Sequence, residues 1–555
     1  MFRMLAIAAP LLFAAPVLAQ TADEVRQTSP EFDAAMDAGD ARKALPLIEP
    51  QLRACIAEHG GDGAPSAALR PCVMLMATGG FVMAEAGRPL EAVAMARRAV
   101  AVAEAFPAGE YTVLANLMFG GALERLGRHG EAEAPFALAL EGAEQLLAGD
   151  PALATYIARR AGNLVQLGRH AEALPLAERA VAIAGDTVEG NVFRMMQGTA
   201  LTRLGRLVEA EATLRTGAAR LAVLMGPSAS QTIRMREMLA HCLAEQNRVE
   251  ESVAIWRETI ALRRAEGDSP DLADSLSGLS VVLVRAGQYR EAEAAAREVL
   301  AVRLRFFGET SNFTGLAYNN LGLVLLESGR LEEAAMMFGR SVEVIKASGV
   351  ANVDEMTAIL ANLSNVLVRY GETGRAIDVL RQVLAIADRA FGSGHIRTVL
   401  ARNNLAAALG RHGQRKEAIP LLEANYAAAR ALGAQGGQLG VQSAASLANF
   451  LAQEGDRAQA RGWFDRAQAD ARSAFRADHA QRIMLGWSHG QFLLDDPSML
   501  PQARTLLREA GRQVLVRAAA GRDFDAQAQA EMKAFASVFR DQVRAAWALG
   551  TGRSG

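Results

Sequence analysis

Apolar positions along this chain recur at helical spacing, and the helices they predict recur at a longer period. Three successive stretches show it: LAYNNLGLVLLESGRLEEAAMMFGRSVEVI, ILANLSNVLVRYGETGRAIDVLRQVLAIA and LARNNLAAALGRHGQRKEAIPLLEANYAAA. Corresponding residues lie 42 positions apart, as in Leu321, Leu363 and Leu405, or Gly329, Gly371 and Gly413. Within a unit, Tyr318, Leu321, Gly322 and Leu325 fall at i, i+3, i+4 and i+7, one apolar helical face. Gly329 can adopt positive φ and close that helix. A second helix then opens at Arg330 and buries Ala334, Phe338 and Ser341. Ala334 is small because two helices cross closely there. Neither helix covers its face alone, so the units must stack.

The turn residue can be followed along the chain at Gly39, Gly87, Gly127, Gly168, Gly205, Asn247, Gly287, Gly329, Gly371, Gly413 and Gly455. Five positions after each stands Ala, or Ser252 in the unit of Asn247. Asn is the non-Gly residue that best tolerates the left-handed conformation. Spacings run from 37 to 48 in the first half and settle at 42 from Gly287 onward. A twelfth, decayed unit is expected around Leu493 to Leu507, where Asp495-Asp496-Pro497 stands for the turn glycine. Residues 20–226 thus read as irregular repeats, 227–510 as regular ones, and 511–555 as capping helices and tail. Either a seam between two sub-superhelices lies near Leu224–Pro227 or one continuous stack carries a longer loop there.

The Leu-Gly, Tyr or Leu, Gly, Ala and Phe pattern resembles the tetratricopeptide repeat (TPR). The 42-residue period with Asn-Leu in the first helix is similar to its kinesin-light-chain subtype. The resemblance implies an all-α solenoid of about 11–12 hairpins, a right-handed superhelix whose first helices line a concave groove. It also implies that Asn residues at the phase of Asn320, Asn362 and Asn404 hydrogen-bond the backbone of a bound peptide.

Composition changes this picture little. Half of the residues are apolar, aromatics are scarce, and a net charge of −2 gives no pull toward nucleic acid or anionic lipid. Met1 to Ala19 has the form of an export signal: Arg3, the apolar stretch Leu5–Leu18, then Val17-Leu18-Ala19 before Gln20. The expected location is therefore outside the cytoplasm, in a bacterial periplasm, with no later apolar run of membrane length.

Motifs for chemistry are missing. The chain contains no His-Glu-x-x-His, Gly-x-Ser-x-Gly, phosphate-binding loop or Cys-x-x-Cys. His129, His170 and His412 sit beside turn glycines, where half-exposed polar residues are ordinary. No cofactor and no catalytic residue are assigned. Phe338, Phe464 and Trp256 share one slot of the repeat and read as core, with Trp463 one residue off it.

Two candidate sites remain. Asn362, Asn365 and Arg369 share a stripe opposite Leu363 and Leu367; Asn404 with Arg411 repeats it, Asn320 with Glu327 nearly does, and Arg285 extends the charge one repeat back. An amide offers donors and an acceptor together, which suits a peptide backbone. Alternatively, these residues bond between neighbouring first helices and stiffen the stack. Separately, Cys55 and Cys72 flank a loop between antiparallel helices and can pair as a disulfide in an oxidising compartment, two free buried thiols being the alternative. Together these readings describe an exported scaffold that binds an extended, acidic protein segment, without nucleic acid. The alternatives are an assembly factor of an envelope complex that binds protein or glycan, and an enzyme with an unrecognised site. Oligomeric state stays open.

Overall fold

The computed structural model describes residues 29–37, 40–59, 65–107, 109–348, 353–520, 533 and 535–551. The export segment 1–19, the turn at Gly39, most of the loop between Cys55 and Cys72, and the tail stretch 521–532 lie outside the described residues. Among those described, all regular structure is helical. The chain divides into two compact units, one ending at Phe306 and the other beginning at Phe307.

The first unit is a succession of hairpins. They are α1 (Pro30–Asp37) with α2 (Ala41–His59), α3 (Val73–Glu85) with α4 (Pro89–Ala103), α5 (Glu110–Arg125) with α6 (His129–Leu146), and α7 (Leu153–Gln166) with α8 (His170–Ala184). There follow α9 (Val188–Arg203) with α10 (Leu207–Met225), α11 (Ser230–Glu245) with α12 (Val249–Ala265), and α13 (Pro270–Arg285) with α14 (Tyr289–Phe307). Through most of the unit, each second helix packs on the next first helix, and many first helices also touch the first helix of the following hairpin. The loop Leu224–Pro227 lies inside this unit. Across it α10 packs on α11, and Leu214, Ala218 and Leu221 share one apolar cluster with Met235 and Leu239.

The second unit continues the scheme with α15 (Asn312–Glu327) and α16 (Leu331–Ala347), α17 (Val353–Tyr370) and α18 (Thr373–Phe391), then α19 (Ile396–Arg411) and α20 (Arg415–Ala431). It ends with α21 (Gly437–Glu454) and α22 (Arg457–Ala474), α23 (Ala480–Leu493) and α24 (Leu500–Ala520), and α25 (Ala536–Thr551). The decayed twelfth unit is the hairpin α23–α24, and α25 covers it. Val538 and Phe535 pack with Ile483, Ala510 and Val514, while Trp487 Nε1 donates to Asp541 Oδ2 at 2.8 Å.

Local chemistry explains why each unit repeats. Every described turn glycine predicted from the sequence has positive φ, and Asn247, at 64°, is the one described non-Gly residue that does. At these turns the residue after the turn donates its N–H to a carbonyl five positions back, as in Arg206 to Leu201 at 3.0 Å and Arg330 to Leu325 at 2.9 Å. Those bonds satisfy helix-end carbonyls that would otherwise lack partners. Ala334, Ala376 and Ala418 are fully buried at the crossing, and Ser252 fits the same slot by donating to the Ala240 carbonyl at 2.6 Å.

One expectation needs correcting. The helical stretch Ala67–Glu85, α3 with its preceding 3-10 turn, is long and apolar enough to cross a membrane by length and composition. Its apolarity has a packing cause. α3 lies against α2, α4 and α5, which leaves no helix face to be polar, and Val73, Met76, Ala77 and Val82 are fully buried.

Candidate functional site

The amide stripe lies entirely in the second unit. Asn320 is on α15, Asn362 and Asn365 on α17, and Asn404 on α19, so the repeat puts them on successive first helices. Asn320 and Asn362 are half-buried, whereas Asn365 and Asn404 are exposed. The half-buried pair is engaged within the protein. Asn362 Nδ2 donates to Asn319 Oδ1 at 3.0 Å, and Asn319 Nδ2 donates to Asn320 Oδ1 at 3.4 Å. This link joins α17 to α15, as does Asn312 Nδ2 donating to Glu355 Oε2 at 2.8 Å. The amides of Asn365 and Asn404 bond to no described residue.

The arginines divide in the same way. Arg369 and Arg411 are exposed and, among the described residues, have no carboxylate within 4.0 Å. Arg285 belongs to the first unit and pairs with Glu245 at 2.9 Å. There it lines a cleft of about 380 Å³ with Asn247, Glu250, Arg257 and Gln288. On α15 the matching acidic residue is Glu327, with the exposed Leu323 one turn before it. The stripe therefore offers free donors at Arg369 and Arg411 and adaptable amides at Asn365 and Asn404.

At the phases of Asn362 and Asn365 the first unit is mixed, with Val281 on α13 exposed and Met238 and His241 on α11 half-buried. Met118 and Gly121 on α5, Gly162 on α7 and Met196 on α9 are buried. A Cβ on Gly121 would come 3.0 Å from Arg159 Nη2, and Arg159 in turn pairs with Glu124 at 3.0 Å. Glu85, paired with Arg125, is buried enough to push its carboxyl above the usual range despite that partner.

Two features were not anticipated. Asn319 is as much a part of the ladder as Asn320, and the doubled Asn in LAYNNLG was the available signal. The other is a fork at the start of second helices, most regular from α4 to α12. In Arg128–Glu131, Arg169–Glu172, Arg206–Glu209 and Arg248–Glu251 the guanidinium Nε and Nη2 donate to both carboxylate oxygens at 2.6–2.8 Å. An Arg-x-x-Glu directly after the turn encodes it, and at later turns Gln288, Glu372, Gln414 and Asp456 stand at that position where it is missing. The Arg206 fork holds the Glu209 carboxyl below its usual range. Arg248 also reaches Glu211 of the preceding hairpin at 2.7 Å, so some forks tie repeats together.

The cysteines lie in the first unit. Cys55 on α2 and Cys72 at the start of α3 form a disulfide with Cα atoms 5.8 Å apart, while Cys242 is a buried free thiol. The shared aromatic slot is core: Phe338 and Phe464 are fully buried and Trp256 is nearly so. Trp463 is half-buried, edge-on to Tyr426 at 5.0 Å and beneath the Arg466 guanidinium at 4.7 Å.

Stacked hairpins with a left-handed turn, a small crossing residue and a buried aromatic define the repeat, and a family model of the tetratricopeptide repeat matches residues 231–305, 271–347 and 354–431. Residues 231–431 carry tetratricopeptide repeats. TPR folds serve protein–protein interaction. This chain is 34% identical over 108 positions to the regulatory protein AfsR of Streptomyces coelicolor, a match covering 20% of this chain and 10% of the regulator. Among solved structures, TPR-like repeats from Podosopora anserina named for kinesin light chain are 22% identical, with 36% of this chain and 95% of that one covered and a TM-score of 0.33. BtubC (BKLC) from P. vanneervenii is 17% identical, with 48% and 92% covered and a TM-score of 0.33.

Proposed function

We propose that this protein is an exported scaffold that holds an extended, net-acidic polypeptide segment along α15, α17 and α19. The observation that carries this reading is the row of exposed amides and unpaired guanidinium groups on successive first helices of the second unit. Asn365 and Arg369 on α17 and Asn404 and Arg411 on α19 are all exposed, and neither arginine has a carboxylate partner among the described residues. Groups at repeat spacing suit a long backbone rather than a compact molecule. Two unpaired guanidinium groups against the single Glu327 favour carboxylates, which Arg can grip bidentately. The segment Met1–Ala19 supports export into a periplasm.

The test is a variant with Asn365→Ala, Arg369→Ala, Asn404→Ala and Arg411→Ala, all exposed positions whose loss leaves the fold intact. A pull-down from the envelope fraction should recover one polypeptide with the unmodified protein and lose it with the variant. Each lost amide contact should cost about 1 kcal/mol of binding. The two arginine changes should flatten its salt dependence. Full retention of the partner would move the binding site to the second-helix face or the loops. Recovery of a glycan in place of a polypeptide would favour the envelope-assembly reading.

A further inference from the structure

Beside the disulfide stands a third donor that a covalent staple does not require. His59, half-buried at the end of α2, places Nδ1 3.9 Å from Cys55 Sγ and 4.0 Å from Cys72 Sγ. The donor atoms of Cys55, His59 and Cys72 all lie within 4.8 Å of one another, and the two cysteines are buried. A tetrahedral zinc site with Zn–S of about 2.3 Å and Zn–N of about 2.0–2.1 Å has S···S edges of about 3.8 Å and S···N edges of about 3.6 Å. Both S···N edges are therefore within about 0.5 Å of that geometry. Only the S···S edge is wrong, and the covalent bond is what holds it short.

We infer that Cys55, His59 and Cys72 form a soft-metal site when the disulfide is reduced. The same residues thus serve as a staple in an oxidising compartment and as a zinc-type ligand set in a reducing one. A dithiol reductant supplies two electrons and two protons, the Cys55–Cys72 bond becomes two thiols, and the reductant leaves as its own disulfide. A divalent metal ion then displaces both thiol protons and binds two thiolates and the neutral imidazole, with the remaining vertex left to water. In the oxidised protein Nδ1 lies 3.1 Å from the Cys55 carbonyl oxygen, to which it donates as the Nδ1–H tautomer. Metal binding at Nδ1 needs the other tautomer, with the proton on Nε2. Thiolate and imidazole ligands select zinc-like and softer ions over magnesium or calcium.

The full chain, reduced with a phosphine and freed of it, is titrated with cobalt(II) as an optical probe. One equivalent should give a thiolate-to-cobalt charge-transfer band, zinc should bleach it, and reoxidation with diamide should release the metal. The oxidised protein should give no band. His59→Ala should weaken the apparent affinity at least about tenfold, Cys72→Ser should abolish the charge-transfer band of the two-thiolate site, and Cys242→Ser should leave it unchanged. The inference fails if reduced protein gives no band, if His59→Ala binds as tightly as the unmodified chain, or if the band survives Cys72→Ser. It fails equally if reduction alone abolishes the helical circular dichroism, because the site requires the fold to persist without the disulfide.

Discussion

Asn365 and Asn362 differ by less than one helical turn, yet one faces solvent and the other is tied to Asn319, so a single residue's environment decides whether it can bind anything. The same holds for glycine. Gly322 is helical and owes its identity to a close approach: a Cβ there would lie 2.8 Å from Phe338 Cε1. Gly322→Val should destabilise by about 1–3 kcal/mol through overpacking, measured by chemical denaturation, and should be partly rescued by Phe338→Leu. Gly278 meets the same demand from Trp256, whose ring a Cβ would approach to 2.3 Å, which explains why Gly stands there in place of Asn. His489 makes the clearest pH prediction. It is buried, stacked on Phe464 at 4.8 Å, and both its ring nitrogens lack hydrogen-bond partners. Burial lowers its pKa to about 4, with Arg461 adding to the effect and Asp465 opposing it. Between about pH 6.5 and 4 the unfolded chain takes up a proton that the folded one refuses, so stability falls as pH falls through this window. The contribution is up to about 3 kcal/mol. His489→Phe should flatten the pH dependence of the denaturation midpoint over that range while leaving the value at pH 8 near that of the unmodified protein.

At the scale of the element, the helix hairpin is fixed by its turn and by its crossing. Positive φ at Gly329 or Asn247 lets the chain reverse, and the carbonyl five residues back is satisfied in the same step. The Arg-x-x-Glu fork then orders the start of the second helix. Its members are largely exposed, so the fork positions the element more than it stabilises the fold. The first two well-formed hairpins carry an additional tie in Cys55–Cys72, which closes a segment with a sequence separation of 17. Reduction should lower the stability of the first unit by about 3 kcal/mol and leave the second unit's transition in place. Scanning calorimetry with and without reductant would show this as a shift in one of two transitions. A uniform shift of both would mean that the division at Phe306 has no thermodynamic counterpart.

Across the whole molecule, stability is spread over many small interfaces rather than held in one centre. In the second unit separate apolar clusters follow one another along the chain, whereas in the first unit one continuous cluster runs from Phe32 to Met196, passed from hairpin to hairpin. Such a stack has two ends that must be covered. At the C-terminal end α25 does this, with Val538 buried against α23 and α24 and Trp487 tied to Asp541. Ending the chain after Ala510 removes Val514 and Val538 and bares Ile483 and Trp487. The truncated protein should self-associate in light scattering, with loss of thermal stability confined to the second unit. A monomer with unchanged melting would assign the cover to another element.

Local pattern was enough for the repeat itself. Turn positions, the small crossing residues, the buried aromatic slot, the decayed unit around Asp496 and the cover at its end all follow from contacts within a hairpin or between adjacent ones. These are short in sequence and imprinted in every copy. What the pattern could not decide was whether a given phase is open. Asn362 and Asn404 occupy equivalent positions 42 residues apart, yet Asn362 is half-buried and bonded to Asn319 while Asn404 is exposed. Arg285 is aligned with Arg369 and Arg411 in the repeat but belongs to another unit, where Glu245 neutralises it. The apolar run at Ala67–Glu85 is a core helix only because three other helices surround it. Helix spacing and partner choice are properties of packed surfaces, summed over many side chains, and only the tertiary structure sets them.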